Sequence, residues 1–275
     1  MIFWLQLPLL LVLLVVLCAM LPADATQGIT RGVTAHRGNS AETPENTLAA
    51  FTNALQLGVD WIETDVYRTR DGVLVLSHDA DTHRTGDRTM KIAEATYAEL
   101  ATVDVATGFR QAHHLTLQDC PPASMPRLED ALRLIMAQQG TRLSLQPKDN
   151  CVPQILAMIK QLHAERWVGF NDGSLEKMCA VKAADPSIPV FWDRSPGIDL
   201  AKDLVTARQY GFEAIVLHES IATPPHIAAI QAAGLQAGVW TVNDPTALKR
   251  FVAMGVDRIY TDTPRVLQQI YQEHR

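Results

Sequence analysis

The stretch Gly211–Thr241, "GFEAIVLHESIATPPHIAAIQAAGLQAGVWT", contains one complete unit of the pattern that decides the fold. A run of apolar and β-branched residues near 213–217 predicts a strand, and a second run near 236–241 predicts another. Between them an amphipathic segment near 224–233 predicts a helix, and a glycine stands before each strand, where it ends the preceding helix. Strand, helix and strand in succession are typical of a parallel sheet.

The same unit recurs along the chain, with strand starts a little over twenty residues apart and one long gap after the second strand. We predict eight strands, near 33–36, 60–67, 142–146, 167–170, 188–192, 213–217, 236–241 and 257–261. Helices are predicted near 46–57, 127–138, 152–164, 174–184, 199–209, 224–233, 245–253 and 264–272. Eight consecutive units favour a closed α/β structure, the (β/α)8 TIM barrel. An open doubly wound sheet is the alternative, but its Gly-rich phosphate loop does not occur here.

The long gap, roughly 68–126, predicts an insertion after the second strand. Asp71-Gly72 lies between two β-rich runs, "VYRTR" and "VLVLSHD", and predicts a hairpin at the start of the insertion. The remainder, about 80–125, is polar and irregular, and its length favours a lid or a small subdomain over a plain loop.

The first 25 residues differ from the rest of the chain. Ile2 to Leu21 is apolar except for Gln6 and Pro8, and Ala23-Asp24-Ala25 follows, as in a secretory signal peptide. The run is also long enough to span a bilayer, so an uncleaved membrane anchor is the alternative. We therefore expect an exported protein, periplasmic or extracellular, with the barrel domain in residues 26–275 and membrane association through the N-terminus as the alternative.

The net charge and the number of cysteines limit the classes of binding partner and the disulfides that the chain can have. The chain of 275 residues is 47% hydrophobic and 20% charged, with a net charge of −6, so nucleic-acid binding is not supported. Cys18 lies in the leader. Cys120, Cys151 and Cys179 remain, and they allow one disulfide, such as Cys120–Cys151, or three free thiols.

Polar residues at the predicted strand ends carry the functional signal, because the active sites of TIM barrels form there. Glu63 and Asp65 stand two apart on a strand, so both side chains point the same way. Two neighbouring carboxylates repel each other unless a cation separates them, and Mg²⁺ or Ca²⁺ suits such oxygen ligands. A pair of structural acids bridged by arginine is the alternative.

Acid–base groups and positive charge are predicted at the same rim. His36 ends the first strand and His78 follows the hairpin, and histidines change charge near neutral pH. Arg37 and Lys148 are candidates for binding phosphate. Trp240 is a candidate wall for a glycerol or choline moiety, with barrel packing as the alternative. Together these groups predict a metal-bound phosphate ester with proton carriers on both sides.

An ordered set of motifs resembles the glycerophosphodiester phosphodiesterase family over about residues 33–270. The motifs are His36-Arg37-Gly38, Pro44-Glu45-Asn46-Thr47, Glu63-Thr64-Asp65-Val66, Thr69-Arg70-Asp71-Gly72, His78-Asp79, Arg84-Thr85, "VWTVND" at 239–244 and "GVDRIYTDTP" at 255–264. The resemblance implies a TIM barrel and metal-dependent hydrolysis of glycerophosphodiesters to an alcohol and glycerol 3-phosphate. It further implies that Glu63 and Asp65 bind the metal, that His36 and His78 form the acid–base pair, and that Arg37 contacts phosphate.

One position departs from the family pattern. The third strand of the family usually ends in a carboxylate and a lysine, "IEIK", whereas this chain has "LSLQPK". Gln146 therefore replaces the acid, and Lys148 is retained. The amide oxygen of Gln146 still suits a hard cation but carries no charge, so Glu45 is a further candidate ligand.

Three functions remain open on the sequence. The first is hydrolysis of small glycerophosphodiesters, with His36 as the base and His78 as the acid. The second is a lysophospholipase D-like activity on lysolipids, which an apolar groove in the insertion would favour. The third is a barrel that binds phosphodiesters without turnover.

Overall fold

The computed structural model of the protein describes residues 32–273. The strands are β1 Gly32–His36, β2 Trp61–Arg68, β3 Leu74–Leu76, β4 Arg142–Pro147, β5 Val168–Asp172, β6 Val190–Arg194, β7 Ala214–His218, β8 Gln236–Trp240 and β9 Arg258–Thr261. The helices are α1 Leu48–Leu57, α2 Tyr97–Leu100, α3 Thr107–His113, α4 Leu128–Met136, α5 Val152–Leu162, α6 Leu175–Ala184, α7 Leu200–Tyr210, α8 Pro224–Ala232, α9 Pro245–Ala253 and α10 Pro264–Glu273.

Eight parallel strands close into a barrel, which confirms the predicted fold. The sheet order is β1-β9-β8-β7-β6-β5-β4-β2-β3, and β1 also pairs with β2 to complete the ring. The predicted strands and helices agree with the observed ones to within about two residues. Within residues 32–273, no helix has both the length and the apolar character needed to cross a membrane.

Two layers of apolar side chains hold the barrel together. The larger one fills the space between the strands and the surrounding helices, and includes Phe51 of α1, Leu145 of β4 and Phe251 of α9. A separate cluster around Trp61 and Phe191 joins side chains from four of the barrel strands. The core therefore lies on both sides of the strands, as the closed topology requires.

The insertion after β2 is a small folded unit with its own core. Asp71-Gly72 forms the predicted hairpin turn between β2 and the antiparallel strand β3. Beyond it, apolar side chains including Ile92, Leu100 and Met125 form a second buried cluster. The insertion therefore packs around an apolar cluster of its own beside β3, and a function as a lid stays a prediction.

The disulfide alternative is not realised in the structure. Cys120, Cys151 and Cys179 are free thiols, and the first two are buried. Cys18 and the predicted signal segment lie outside the described residues.

Candidate functional site

A cleft opens at the carboxyl ends of the barrel strands and has a volume of about 270 Å³. Seven of the nine sequence-predicted site residues line it: His36, Arg37, Glu63, His78, Gln146, Lys148 and Trp240. The eighth, Asp65, is 1% exposed and contacts Arg37 and Lys148 from below the surface of the cleft. The ninth, Glu45, borders an adjoining cleft that shares His36 and Arg37.

The turn after β1 aims two consecutive residues at β2. Arg37 has φ 59° and Gly38 has φ 87°, so the chain bends sharply at the strand end. A Cβ atom on Gly38 would lie 2.6 Å from the Cβ of Ala50, which explains the glycine. The bend directs the Arg37 backbone N–H to Glu63 Oε2 at 3.1 Å.

His36 is held by a carboxylate from the last strand segment. Its Nδ1 lies 2.7 Å from Asp262 Oδ1, and its Nε2 lies 3.9 Å from Glu63 Oε2. Burial lowers the pKa of His36, but the hydrogen bond to Asp262 and the charge of Glu63 outweigh it, so the pKa is raised. Burial tends to raise the pKa of Asp262, yet the hydrogen bond from His36 and other donors bring it down to about 2.

The two acids of β2 are buried side by side, as predicted from their spacing. Glu63 is 2% exposed, and burial together with the charge of Asp65 raises its pKa to about 8. Asp65 accepts a hydrogen bond from Asn46 Nδ2 at 2.9 Å. Lys148 Nζ lies 3.4 Å from Asp65 Oδ1, and Arg37 Nε lies 3.5 Å from its Oδ2. The pair thus faces positive groups from two other strand ends.

Two residues of the Pro-Glu-Asn-Thr motif have different structural roles, one at the start of α1 and one in the site. Thr47 caps α1, since its side chain accepts from the Ala50 backbone N–H at 3.1 Å. Asn46 instead orients Asp65, because its Oδ1 accepts from Thr64 Oγ1 while its Nδ2 donates to the carboxylate.

His78 is held in the same way as His36. Its Nδ1 lies 2.7 Å from Asp79 Oδ1. Burial tends to raise the pKa of Asp79, but donors from His78 and Arg84 lower it, so the carboxylate is ionised near neutral pH. An ionised carboxylate only accepts, so Nδ1 carries a proton and Nε2 is the nitrogen left without this contact.

Arg84 links the insertion to the barrel. Its guanidinium donates to Asp79 Oδ2 and to both carboxylate oxygens of Glu45. Arg37 Nη1 also donates to Glu45 Oε1 at 3.0 Å. Glu45 therefore sits between two guanidinium groups at the mouth of the site, and it positions Arg37.

The ends of β4, β5 and β6 form the far wall of the cleft. Gln146 Oε1 accepts from Lys148 Nζ at 3.0 Å, and Gln146 Nε2 donates to Asp193 Oδ2 at 3.3 Å. Asn171 Nδ2 donates to the same Asp193 oxygen at 3.1 Å. Burial raises the pKa of Asp193 to about 7, which its amide donors partly oppose.

Trp240 completes the wall on the β8 side. Its ring meets His218 edge-on, with 5.0 Å between the ring centres. It lines the cleft next to Thr241 and Tyr260, so an apolar face borders the polar groups.

Three residues of the site were missed from the sequence as members of it: Asn46, Asn171 and Asp193. The position of Asp262 was visible, because the last strand of a closed barrel pairs with the first, and the carboxyl end of β9 adjoins His36. Asp193 had a weaker signal, as a charged residue at the end of an apolar strand.

The donor set decides whether a divalent ion fits. Among the described residues, no three His, Cys, Asp or Glu side chains are grouped so that they could hold a metal ion. Glu63 and Asp65 still provide two buried carboxylates on one face of β2. Mg²⁺ is commonly bound by one or two carboxylates, with water and substrate phosphate as the other ligands. The residues present therefore fit a hard divalent cation.

Comparison with known proteins gives a consistent result. Residues 36–266 match the glycerophosphoryl diester phosphodiesterase family. A glycerophosphodiester phosphodiesterase from Bacillus altitudinis is 27% identical over 252 residues, covering 87% of this chain and 97% of that protein. A namesake from Caldanaerobacter subterraneus is 29% identical over 248 residues, covering 86% and 95%.

Solved structures agree with the sequence comparison. An Oleispira antarctica phosphodiesterase in complex with the product sn-glycerol-3-phosphate has a TM-score of 0.76 and 25% identity, covering 88% of this chain and 97% of that one. A putative glycerophosphoryl diester phosphodiesterase from Agrobacterium tumefaciens has a TM-score of 0.78, with 90% and 99% coverage; at 23% identity it supports the fold alone.

Proposed function

The chain belongs to the glycerophosphoryl diester phosphodiesterase family and is an enzyme of that class, and from this premise we propose its substrate and mechanism. The substrates are soluble glycerophosphodiesters, which it hydrolyses to an alcohol and glycerol 3-phosphate. His36 and His78 carry the proton transfers, and a divalent cation, Mg²⁺ or Ca²⁺, assists. The Oleispira antarctica relative, which was solved with sn-glycerol-3-phosphate, supports the product assignment.

One observation carries the proposal: two histidines, each with its Nδ1 on an aspartate, line the same cleft. His36 is held by Asp262 and His78 by Asp79, each at 2.7 Å. A carboxylate at Nδ1 fixes the ring and leaves Nε2 to exchange a proton. Two such pairs provide a proton acceptor and a proton donor for the two sides of one phosphorus centre.

In the proposed reaction, one imidazole Nε2 accepts a proton from the nucleophile, which is water or a glycerol hydroxyl adjacent to the phosphate. The nucleophile forms a bond to phosphorus, and the bond from phosphorus to the alcohol oxygen breaks. The other imidazole donates its proton to that oxygen. If the glycerol hydroxyl attacks first, water then opens the cyclic phosphate, and the two histidines exchange roles. The assignment of His36 as base and His78 as acid stays a prediction.

Positive side chains hold the phosphate in this scheme. Arg37 and Lys148 both line the cleft, which supports their binding of the phosphoryl oxygens through N–H groups. Glu45 keeps the Arg37 guanidinium in place. Trp240 provides an apolar wall for the glycerol or alcohol moiety.

Glu63 and Asp65 would hold the divalent ion. When bound, such an ion supplies charge neutralisation for the phosphoryl oxygens and their developing negative charge. Gln146 and Glu45 are engaged by Lys148 and by two arginines, respectively, so the proposal does not require them as ligands.

The two alternative functions have less support. Family membership as an enzyme argues against a barrel without turnover. For lysolipids, the apolar residues of the insertion mostly form its own core, and two neighbouring side chains, Leu115 at 37% and Leu117 at 62% exposed, are too few to form an apolar groove. We keep export through residues 1–25 as part of the proposal, supported by the sequence pattern alone.

A substrate panel tests the proposed function. The purified protein is incubated with glycerophosphocholine, glycerophosphoethanolamine or a lysophosphatidylcholine, each with Mg²⁺, Ca²⁺ or a chelator. We expect release of glycerol 3-phosphate from the soluble diesters and little reaction with the lysolipid. His113→Ala is a matched control, since this exposed histidine lies outside the cleft. No product from any diester with either ion would refute the proposal.

An activated aryl phosphodiester separates the two histidine roles. Its leaving group needs no proton, so removal of the acid is tolerated while removal of the base is not. We expect His78→Ala to recover most of its rate on this substrate and His36→Ala to recover little. The reverse pattern would exchange the two roles.

A further inference from the structure

Asp193 is a buried carboxylate that the family pattern does not assign. It lies near the end of β6 and is 8% exposed, and it lines the cleft. Oδ2 accepts from Asn171 and Gln146, whereas Oδ1 has no hydrogen-bond partner within the part of the chain that the structure describes. No lysine or arginine in residues 32–273 is within ion-pair distance of it. His36 and the buried Arg258 act on Asp193 electrostatically from beyond ion-pair distance, and a buried acid without a direct cationic contact is costly unless the site uses its charge.

The orientation of the Gln146 amide follows from its two neighbours. Lys148 Nζ only donates hydrogen bonds, and the Asp193 carboxylate, which is ionised above its raised pKa of about 7, then only accepts them. The amide oxygen must therefore face Lys148, at 3.0 Å, and the amide nitrogen must face Asp193, at 3.3 Å. Asp193 thus fixes Gln146, and Gln146 in turn holds the ammonium group that lies 3.4 Å from Asp65.

This arrangement gives a physical reason for glutamine at position 146. A glutamate there would bring a second carboxylate within about the same 3.3 Å of Asp193, where the two charges repel unless they share a proton or a cation. Glutamine avoids that repulsion and provides the N–H that the Asp193 oxygen accepts. One negative charge is thus kept on this wall of the cleft, on β6 instead of β4.

We propose that Asp193 carries the negative charge that the family places at position 146, and that it is a positioning residue which orients Lys148 through the Gln146 amide. This inference rests on the proposed function for its kinetic consequences, but its geometric core does not depend on catalysis. The two positions form a pair whose amide and carboxylate can be exchanged.

A four-member charge-exchange cycle tests the pair: wild type, Gln146→Glu, Asp193→Asn and the double variant. Gln146→Glu places two carboxylates together. Asp193→Asn removes the negative charge, while its amide oxygen can take the place of Oδ2 and accept from Asn171 and Gln146, so its loss of rate reports the charge itself. In the double variant, the introduced amide on β6 turns its N–H to the introduced carboxylate on β4 and its oxygen to Asn171, and that carboxylate accepts from Lys148. The network is thereby rebuilt with its roles exchanged.

The first readout is kcat/KM with glycerophosphocholine. We expect each single variant to lose at least about tenfold, which corresponds to ~1.4 kcal/mol, mainly in kcat, and the double variant to return to within about threefold of wild type. Glu176→Gln is the matched control: it removes an exposed carboxylate that does not line the cleft, and it should stay within about threefold of wild type. Full activity of Gln146→Glu, or a double variant no better than the worse single variant, overturns the proposal.

The second readout does not depend on activity. Urea unfolding midpoints are measured for the same proteins. We expect Gln146→Glu to lower the midpoint and the double variant to restore it. If wild type shows no hydrolysis but the midpoints are restored, the proposed function fails and the pairing stands. Additive midpoints refute the pairing even in an active enzyme. If Gln146→Glu does not fold, recovery of folding in the double variant supports the pairing, and failure of both contradicts it.

Discussion

Replacement of Asp262 by asparagine changes the orientation and tautomer of the His36 ring while the ring itself stays in the site. The Asp262 carboxylate accepts hydrogen bonds from His36 Nδ1 and Ser40 Oγ on Oδ1, and from Asn243 Nδ2 on Oδ2. In Asp262→Asn one of these oxygens becomes an N–H donor. If it faces Asn243, two donors meet; if it faces His36, the imidazole must take the opposite tautomer. Either arrangement disturbs the nitrogen that exchanges the proton.

The free energy of the Asp262–His36 interaction can be worked out from the pKa shift of the Asp262 carboxylate. Its pKa falls from 3.8 to about 2, equivalent to ~2 kcal/mol in favour of the charged form. The side chain is 32% exposed, and Ser40 and Asn243 contribute, so we assign about half, ~1 kcal/mol, to His36. General acid–base catalysis contributes ~10²–10⁴, so we expect Asp262→Asn to lower kcat/KM by roughly 10².

The sign of the pH dependence can be worked out for both partners. The pKa of His36 is raised on folding, so its contribution to stability is present below 6.5 and is lost as the pH rises through the folded pKa. The pKa of Asp262 is lowered, so its contribution is present above 3.8 and is lost as the pH falls toward 2. The stability difference between wild type and Asp262→Asn should therefore be largest between these limits, around pH 5.

The assay combines pH profiles of kcat/KM, urea unfolding at several pH values and an NMR titration of the His36 ring. We expect the pKa of His36 to fall in Asp262→Asn. Asp119→Asn provides the control, since it removes an exposed carboxylate that lies outside the cleft. A His36 titration that does not move, together with kcat/KM within threefold of wild type, would refute the reasoning.

Three further predictions concern the turn after β1, the Asn46 amide and the cation. Gly38→Ala should lower the free energy of unfolding by ~3 kcal/mol, because φ is 87° and the new Cβ would collide with Ala50. Gly58→Ala is the control and should lower it by only ~1 kcal/mol, because φ is 71° but no atom lies near the new Cβ. Equal losses of the two variants in urea unfolding would contradict this prediction. Asn46→Gly suits the positive φ at this position but removes the hydrogen-bond donor to Asp65. Calorimetry should therefore show weaker Mg²⁺ binding, while the free energy of unfolding falls by only ~1–2 kcal/mol. An unchanged affinity for Mg²⁺ would count against the role of Asn46. Chelation should abolish hydrolysis of glycerophosphocholine and added Mg²⁺ or Ca²⁺ should restore it, and a chelated protein at full rate would exclude the ion from the mechanism.

The fold was predictable because its signals are local. Apolar runs followed by amphipathic segments define each β-α unit, and glycines such as Gly58 and Gly211 end helices in the left-handed conformation. The core of the insertion was not predictable in this way. Its apolar residues, such as Ile92 and Met125, are scattered among polar ones and come together only in three dimensions.

Neighbouring site residues were predictable where they lie on one strand. Contacts between residues of strands far apart in the sequence were not. Glu63 and Asp65 share a face of β2 because of their spacing, which any strand imposes. The partnership of His36 with Asp262 joins residues 226 apart and depends on barrel closure. The sequence identifies Asn46 only as part of the Pro-Glu-Asn-Thr motif, and its hydrogen bond to Asp65 requires the tertiary fold.

We propose that His36 and His78 act as one catalytic pair on a phosphodiester bound between them. The most direct measurement is the rate of glycerol 3-phosphate release from glycerophosphocholine by His36→Ala, His78→Ala and the double variant, with folding checked by circular dichroism. Residues that act as a unit are non-additive, so we predict that each single variant loses ~10² or more and that the double variant loses little beyond the worse single one. Single losses under threefold, or fully multiplicative losses, would contradict the account.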